Sequence, residues 1–215
     1  MIRNIVFDLD GVLFDGCDLH ATLFLKAVSK VRPDIQLTMK YHDTVLNGLP
    51  TKEKLKILNI LGEEAHTIYT IKQELTNDHL SKLVPCIKNI RMCEELKELG
   101  YNLYCVSNSI RKSIDTVLSN MGIIHMFSGI ISNNDVSESK PSPIPYLTLY
   151  KKFNISPDES LILEDSEFGI ESATKSNGYV LCVRNCDDVT IPNILRTIEE
   201  IIVNPSVKKY SVQYF

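Results

Sequence analysis

The sequence predicts an α/β protein: a parallel sheet with helices on both faces, carrying one all-helical insertion after the first strand. Three observations predict it. Short apolar runs rich in β-formers alternate with longer helical periods, the rhythm of right-handed βαβ units. Those runs are continuous and do not alternate with polar residues, as expected for strands buried on both faces. One stretch, from Cys17 to Val84, shows helical patterns alone. The 215 residues correspond to about 1.4 domains at roughly 150 residues each, which fits one large domain or one domain with a smaller companion.

The elements follow in order. Ile2–Asp8 is the first strand, with Ile5, Val6 and Phe7 as its apolar run. The helical stretch contains patterns at Leu19–Val31, Thr51–Leu61 and Glu63–Leu83. Strands are then predicted at Tyr101–Ser107, Gly129–Ser132, Ser160–Asp165 and Tyr179–Arg184. Between and after them lie helices at Asn89–Leu99, Ile110–Met121, Pro143–Phe153, Glu167–Ser176 and Pro192–Val203. Gly100, Gly122 and Gly178 stand where helix C-caps belong. The last ten residues have no clear period and read as a surface tail or a loosely docked extension. The division is therefore residues 1–15 and 85–205 as the core, 16–84 as an inserted helical unit, and 206–215 as the tail. An insertion just beyond a strand's C-terminal end lies over the ligand crevice of an open α/β sheet, where a lid would sit. Its edges, Asp15–Asp18 and Leu83–Cys86, are the expected hinges.

Composition narrows the class. With 44% apolar and 23% charged residues the chain is that of a globular protein, and its length needs no disulfide or metal staple to bury a core. No apolar run approaches the ~18 residues of a membrane span, and acidic residues come too early for a signal peptide. A net charge of -4 argues against a general nucleic-acid binder. The cysteines (17, 86, 93, 105, 182 and 186) form no C-x-x-C pair and read as reduced thiols of a cytoplasmic protein. Nothing near Cys182 and Cys186 completes a zinc site. Monomer and homodimer both remain open.

Chemistry gathers at the strand ends. The first strand closes on Asp8-Leu9-Asp10-Gly11, the second on Ser107-Asn108-Ser109, the fourth on Glu164-Asp165-Ser166. A lone Asp-x-Asp reads equally as a turn or a solvated pair. Period two puts Asp8 and Asp10 on the same side, and in a parallel sheet the three ends converge. Up to four carboxylates in one crevice repel one another. A hard divalent cation relieves that conflict, and oxygen-only ligands favour Mg²⁺ over zinc. Lys140, just before a helix, adds a positive charge. Metal, lysine and hydroxyl around a carboxylate suit transfer of a phosphoryl group onto that carboxylate.

These segments resemble the haloacid dehalogenase superfamily, in its phosphatase and β-phosphoglucomutase-like branch. FDLDGVLFD (Phe7–Asp15), VSNS (Val106–Ser109), KPSPIPY (Lys140–Tyr146) and LEDSEFGIESA (Leu163–Ala173) occur in the family order across nearly the whole chain, and together they are far more specific than any one alone. The resemblance implies a Rossmann-like three-layer core with a small helical cap. It implies Asp8 as the nucleophile forming an aspartyl-phosphate, and Asp10 as general acid and then base, with the Asp10 backbone carbonyl on Mg²⁺. Asp165 would bind the metal directly and Glu164 directly or through water. Ser107, the Asn108 amide and Lys140 would bind the phosphoryl group. The superfamily's dehalogenases lack an acid at the Asp10 position, because a carbon–halogen bond needs no leaving-group proton; Asp10 therefore favours phosphoryl transfer.

In the insertion, His20 stands where β-phosphoglucomutases and several related phosphatases carry a histidine, and reads equally as a helix-packing residue. Asn47–Lys52, with Gly48, resembles the cap loop that reads the substrate. The mutases place an arginine at the position of Thr51, so its absence favours a phosphatase; Lys52 offers only a partial replacement, since lysine makes no bidentate contact. Arg111 reads as a solvated helix residue, and His42, His66, His79 and His125 as surface or packing residues. The expected activity is Mg²⁺-dependent hydrolysis of a small phosphorylated metabolite. A sugar-phosphate mutase is the nearest alternative. A phospho-accepting signalling receiver would need neither Asp10 nor the insertion, and a non-catalytic binding protein would not need the intact motif set.

Overall fold

The computed structural model describes residues 1–80 and 86–212. A six-stranded parallel sheet forms its centre: β1 (Asn4–Phe7), β2 (Asn102–Val106), β3 (Phe127–Ile131), β4 (Ser160–Glu164), β5 (Tyr179–Cys182) and β6 (Lys209–Ser211), in the order β3-β2-β1-β4-β5-β6. The chain turns one way from β1 to β2 and the other way to β4. Such a reversal opens a crevice beyond the strands' carboxyl ends, where Asp8 and Asp165 follow β1 and β4.

Side-chain alternation explains the three layers. Ile5, Phe7, Leu103, Cys105, Leu161 and Leu163 point to one face, where α5 (Ile87–Glu98), α6 (Arg111–Asn120) and α9 (Ile191–Val203) supply Met92, Cys93, Leu96, Ile114, Val117, Ile194 and Ile198. Val6, Tyr104, Val106, Ile162 and Val180 point to the other face, against Tyr146, Leu149 and Tyr150 of α7 (Ile144–Phe153) and Ala173 of α8 (Glu167–Lys175). Burial on both faces is why these strands read as unbroken apolar runs.

Between β1 and β2 lie α1 (Cys17–Val31), the short α2 (Met39–Tyr41) continuing into a π-helical turn at His42–Leu46, α3 (Thr51–Ile57) and α4 (Gly62–Leu80). They bury a cluster of their own, with Phe24, Ala27, Val28, Leu46, Leu55, Ile60 and Ile68. The pattern expected over Thr51–Leu61 ends earlier, because Asn59 adopts a left-handed φ of 55°. The expected helix end at Leu83 and the Leu83–Pro85 part of the second hinge lie outside the described residues.

Two sequence expectations are corrected. The tail is not loose: Lys209–Ser211 extends the sheet beside Val180–Cys182, with Tyr210 buried and its hydroxyl donating to Val207 O at 2.9 Å. Three residues are too few to show a strand period. Gly100 and Gly122 take positive φ after their helices, but after α8 it is Asn177 that does so (φ 66°). Gly178 serves close packing instead, since a Cβ there would stand 2.6 Å from the Tyr150 hydroxyl.

Candidate active site

β1 ends when the chain leaves the sheet after Phe7; the Asp8 N–H still donates to Leu163 O (3.1 Å), and Gly11 (φ 83°) turns the backbone away. Asp8 is thereby fixed at the crevice mouth, two residues ahead of Asp10. Lys140 is buried, 3% exposed, and all three of its ammonium hydrogens have acceptors: Asp8 Oδ1 (2.6 Å), Glu164 Oε1 (2.5 Å) and Val106 O (2.7 Å). The segment carrying it is tied down twice. Asn108 Nδ2 donates to Lys140 O (3.3 Å) while its Oδ1 accepts from Lys140 N (3.0 Å), and Ser172 Oγ of α8 donates to Ser142 O (2.6 Å).

Glu164 is fully buried at the end of β4. Its Oε1 also accepts from the Tyr146 hydroxyl (2.5 Å), whereas Oε2 has no hydrogen-bond partner. The carboxylate lies flat on Gly169 in the first turn of α8, where a Cβ would come within 2.0 Å of it. Ligand oxygens of Asp8, Glu164 and Asp165 all lie within 4.8 Å of one another. The electrostatics record the crowding. Burial, reinforced by Asp8 and opposed by Lys140, pushes Glu164 up to about 8. Burial and Asp8 push Asp165 up to about 7. Burial also raises Asp8, with Asp10 adding to it and Lys140 opposing. For Lys140 itself, burial would lower the ammonium, but Asp8 and Glu164 outweigh it and hold it above the ordinary lysine value. One lysine does not offset three carboxylates, and an orphaned buried oxygen stands among them. That donor set, oxygen only, fits a hard divalent cation.

Asp10 lives differently. Although burial opposes it, His20 Nε2 at 2.9 Å and the Ser109 hydroxyl, donating to Oδ2 at 2.9 Å, hold its carboxyl below the usual range. Behind His20 stands Lys72 of α4, its Nζ 3.2 Å from His20 Nδ1. Burial draws that ammonium down to about 8 against the pull of Asp10.

The insertion and the sheet edge close on one cavity of about 110 Å³. Of the residues singled out in the sequence, Asp8, Asp10, Ser107, Asn108, Lys140 and Asp165 line it from the core, and His20, Gly48, Thr51 and Lys52 from the insertion; Glu164 lies behind. The two halves touch where Asn108 Nδ2 donates to Gly48 O (2.8 Å). The side-chain amide of Asn108 is therefore committed to joining the Gly48 loop and the Lys140 segment. Gly48 sits at φ 76°, with the Ser166 side chain 3.3 Å from where a Cβ would be, so this loop tolerates little else.

Arg111 pairs with Asp115 on an exposed helix face, as expected, and His66, His79 and His125 are exposed. His42 is a packing residue, its ring centre 6.2 Å from that of Phe24, but not only that. It is buried, lines the cavity, and accepts from Lys54 Nζ at 2.8 Å. Lys52 is exposed, its Nζ 5.7 Å from the Tyr69 ring centre. The buried cation on α3 is Lys54, one turn beyond Thr51. Ser109, Tyr146, Lys72, Lys54 and His42 are thus site residues that sequence reading missed. Two left a trace. Ile68, Lys72, Thr76 and Leu80 are the buried residues of α4, a stripe at i, i+4 spacing with a lysine inside it. Thr51, Lys54 and Leu55 form a similar buried face on α3.

Among the described residues, no helix is long and apolar enough to cross a membrane. A family model described as haloacid dehalogenase-like hydrolase matches residues 5–183. The chain is 30% identical over 182 residues to a phosphoglycolate phosphatase of Vibrio vulnificus, covering 80% of this chain and 79% of that one. It is 28% identical over 232 residues to a β-phosphoglucomutase of Bacillus subtilis, covering 96% and 100%. A β-phosphoglucomutase structure from Clostridium difficile shares the fold with a TM-score of 0.77, at 23% identity over 95% of this chain and 100% of that one. With the matched region running from β1 to the end of β5, the chain belongs to the haloacid dehalogenase-like hydrolase family, and it is a hydrolase.

Proposed function

We propose that this protein is a Mg²⁺-dependent phosphatase of small phosphorylated metabolites, working through an aspartyl-phosphate on Asp8. The observation that carries the reading is the pairing of two differently tuned carboxylates two residues apart. Asp8 is held against Lys140 in a crowded acidic cluster, while Asp10 stands outside that cluster in a pair with His20 that can share a proton.

Asp8, Asp165, Glu164 and the Asp10 backbone carbonyl would hold Mg²⁺, which when bound supplies charge stabilisation for the transferring phosphoryl group. The chain's own residues do the rest. Lys140 neutralises charge shared by Asp8 and the phosphoryl oxygens, and Ser107 donates to one of those oxygens. An Asp8 oxygen attacks phosphorus as the ester oxygen leaves with a proton from Asp10. Asp10 then takes a proton from water, whose oxygen attacks phosphorus and releases Asp8 and inorganic phosphate. His20 Nε2, at 2.9 Å from Asp10, is the group placed to share that proton between the two steps. The helical insertion acts as a cap, excluding water while the acyl phosphate forms. Free thiols at the described cysteines suit the cytosol.

The test is release of inorganic phosphate from a panel of short phosphate esters with Mg²⁺; absence of release from every ester overturns the reading. Metal linkage is checked separately. Mg²⁺ added to dialysed protein at about a hundred times its Kd stabilises by about 2.7 kcal/mol, raising Tm by roughly 5–10 °C in a chain of this size, and Asp165→Ala should remove that rise. A sugar-phosphate mutase is the second reading, favoured by one observation: the buried Lys54 restores a cation near Thr51, where the mutases carry an arginine. Isomer formation from a hexose 1-phosphate with a bisphosphate primer would establish it.

A further inference from the structure

We propose that Tyr146 is the positioning residue of the metal site: its hydroxyl holds the Glu164 carboxylate so that Oε2, and not Oε1, is offered to Mg²⁺. The inference deepens the metal-dependent reading above and rests on it. It adds which oxygen serves the cation and what keeps that oxygen in place.

A carboxylate offers about four lone-pair sites, two on each oxygen. In Glu164 both donors converge on Oε1, Lys140 Nζ at 2.5 Å and the Tyr146 hydroxyl at 2.5 Å. Oε2 is buried and has no hydrogen-bond partner. Buried polar atoms are nearly always paired, and two donors serving stability alone would be better spread over both oxygens. Here one oxygen is saturated and the other is left open. Glu164 also belongs to the trio, with Asp8 and Asp165, whose ligand oxygens lie within 4.8 Å of one another. An open acceptor in such a trio is what a hard cation requires.

Of the two donors, Tyr146 is the steady one. Lys140 also donates to Asp8, whose charge and neighbours change when a phosphoryl group arrives. A phenol has a single hydrogen, and that of Tyr146 goes to Glu164. The ring that carries it does not move freely. Tyr146 lies in the first turn of α7, fully buried in the cluster that holds Val6, Val106, Ile162 and Ala173. Lys140 Nζ sits 5.1 Å from its ring centre, so the two donors are themselves packed together. From the other side Gly169 supports the carboxylate, with no room for a Cβ. Glu164 is thus held from three elements, the Lys140 segment, α7 and α8. Mg²⁺ accepts only near-octahedral oxygens at about 2.0–2.1 Å, and a carboxylate free to rotate would meet that demand only part of the time.

The test reads metal binding without turnover. Mg²⁺ and Mn²⁺ are each titrated calorimetrically into wild type, Tyr146→Phe, Tyr150→Phe, Glu164→Gln and the Tyr146→Phe/Glu164→Gln double variant, with thermal melts in chelator to confirm folding. Tyr146→Phe keeps the ring and removes the hydroxyl, and should raise Kd by about tenfold to a hundredfold, the usual loss when a group that orients a metal ligand is removed. Tyr150 is the control. It is a buried tyrosine one turn further along α7, its hydroxyl 3.2 Å from Ser176 Oγ, so Tyr150→Phe loses a comparable bond and should change Kd by no more than about twofold. In the Glu164→Gln background the Tyr146 substitution should likewise change Kd by no more than about twofold, because the tyrosine acts only through that carboxylate. Unchanged affinity in Tyr146→Phe, an equal loss in Tyr150→Phe, or a full further loss in the double variant overturns the proposal. Failure of wild type to bind either cation overturns it together with the metal-dependent reading. A Tyr146-dependent Kd with no ester hydrolysed upholds it and overturns the phosphatase reading alone.

Discussion

Asp8→Asn should lower kcat for phosphate release by about 10⁴-fold or more, the scale seen when a covalent nucleophile is removed, while leaving the fold intact. The reasoning is steric and electrostatic. Asparagine matches the shape of aspartate and keeps an oxygen for Lys140, whose Nζ now lies 2.6 Å from Asp8 Oδ1. It removes the one group able to form an acyl phosphate at that position. It also removes a charge from a cluster in which burial already disfavours ionised Asp8, so the variant should melt no earlier than wild type. Acid-quenched wild type incubated with substrate should gain one phosphoryl group by mass spectrometry, and the variant should gain none. Activity within about tenfold of wild type would sink the nucleophile assignment.

Lys140→Met should be the most destabilising single substitution in the site. Lys140 donates to Asp8, Glu164 and the Val106 carbonyl from a fully enclosed position. Methionine fills similar space but leaves two buried carboxylates facing each other and the Tyr146 hydroxyl bound to one of them. Removing one partner of a buried ion pair costs about 3–5 kcal/mol, or roughly 6–20 °C in Tm. Adding Glu164→Gln removes one of the orphaned charges, so the double variant should regain stability relative to Lys140→Met. It should not regain activity, because the charge beside Asp8 is still missing. Thermal melts and phosphate release on wild type, Lys140→Met, Glu164→Gln and the double variant decide this; additive losses of stability would contradict the coupled cluster.

How much of this was legible in advance depended on whether the signal was local. Asp8 and Asp10 follow an apolar strand directly, Ser107 follows another, and Glu164-Asp165 closes a third. Each is a contiguous run whose geometry is set by period two and a shared sheet edge. Lys140 has no such local signal and was recoverable only through its motif. The Lys54–His42 pair was illegible for the opposite reason. Its members are twelve residues apart, on a short helix and a π-helical turn, and neither position has a spacing that announces the other. The edge strand at Lys209–Ser211 is three residues long, and its pairing with β5 depends on where α9 returns the chain.

The sequence by itself determined the strand–helix rhythm, the double-sided burial of the sheet and the acidic strand ends, because these follow from backbone periodicity and from residues adjacent in the chain. The tertiary structure alone decided which insertion side chains face those ends. It set Lys54 on His42, Lys72 on His20 and Asn108 against Gly48. A helical pattern records that a face is buried, but what that face is buried against depends on how separate segments pack in space.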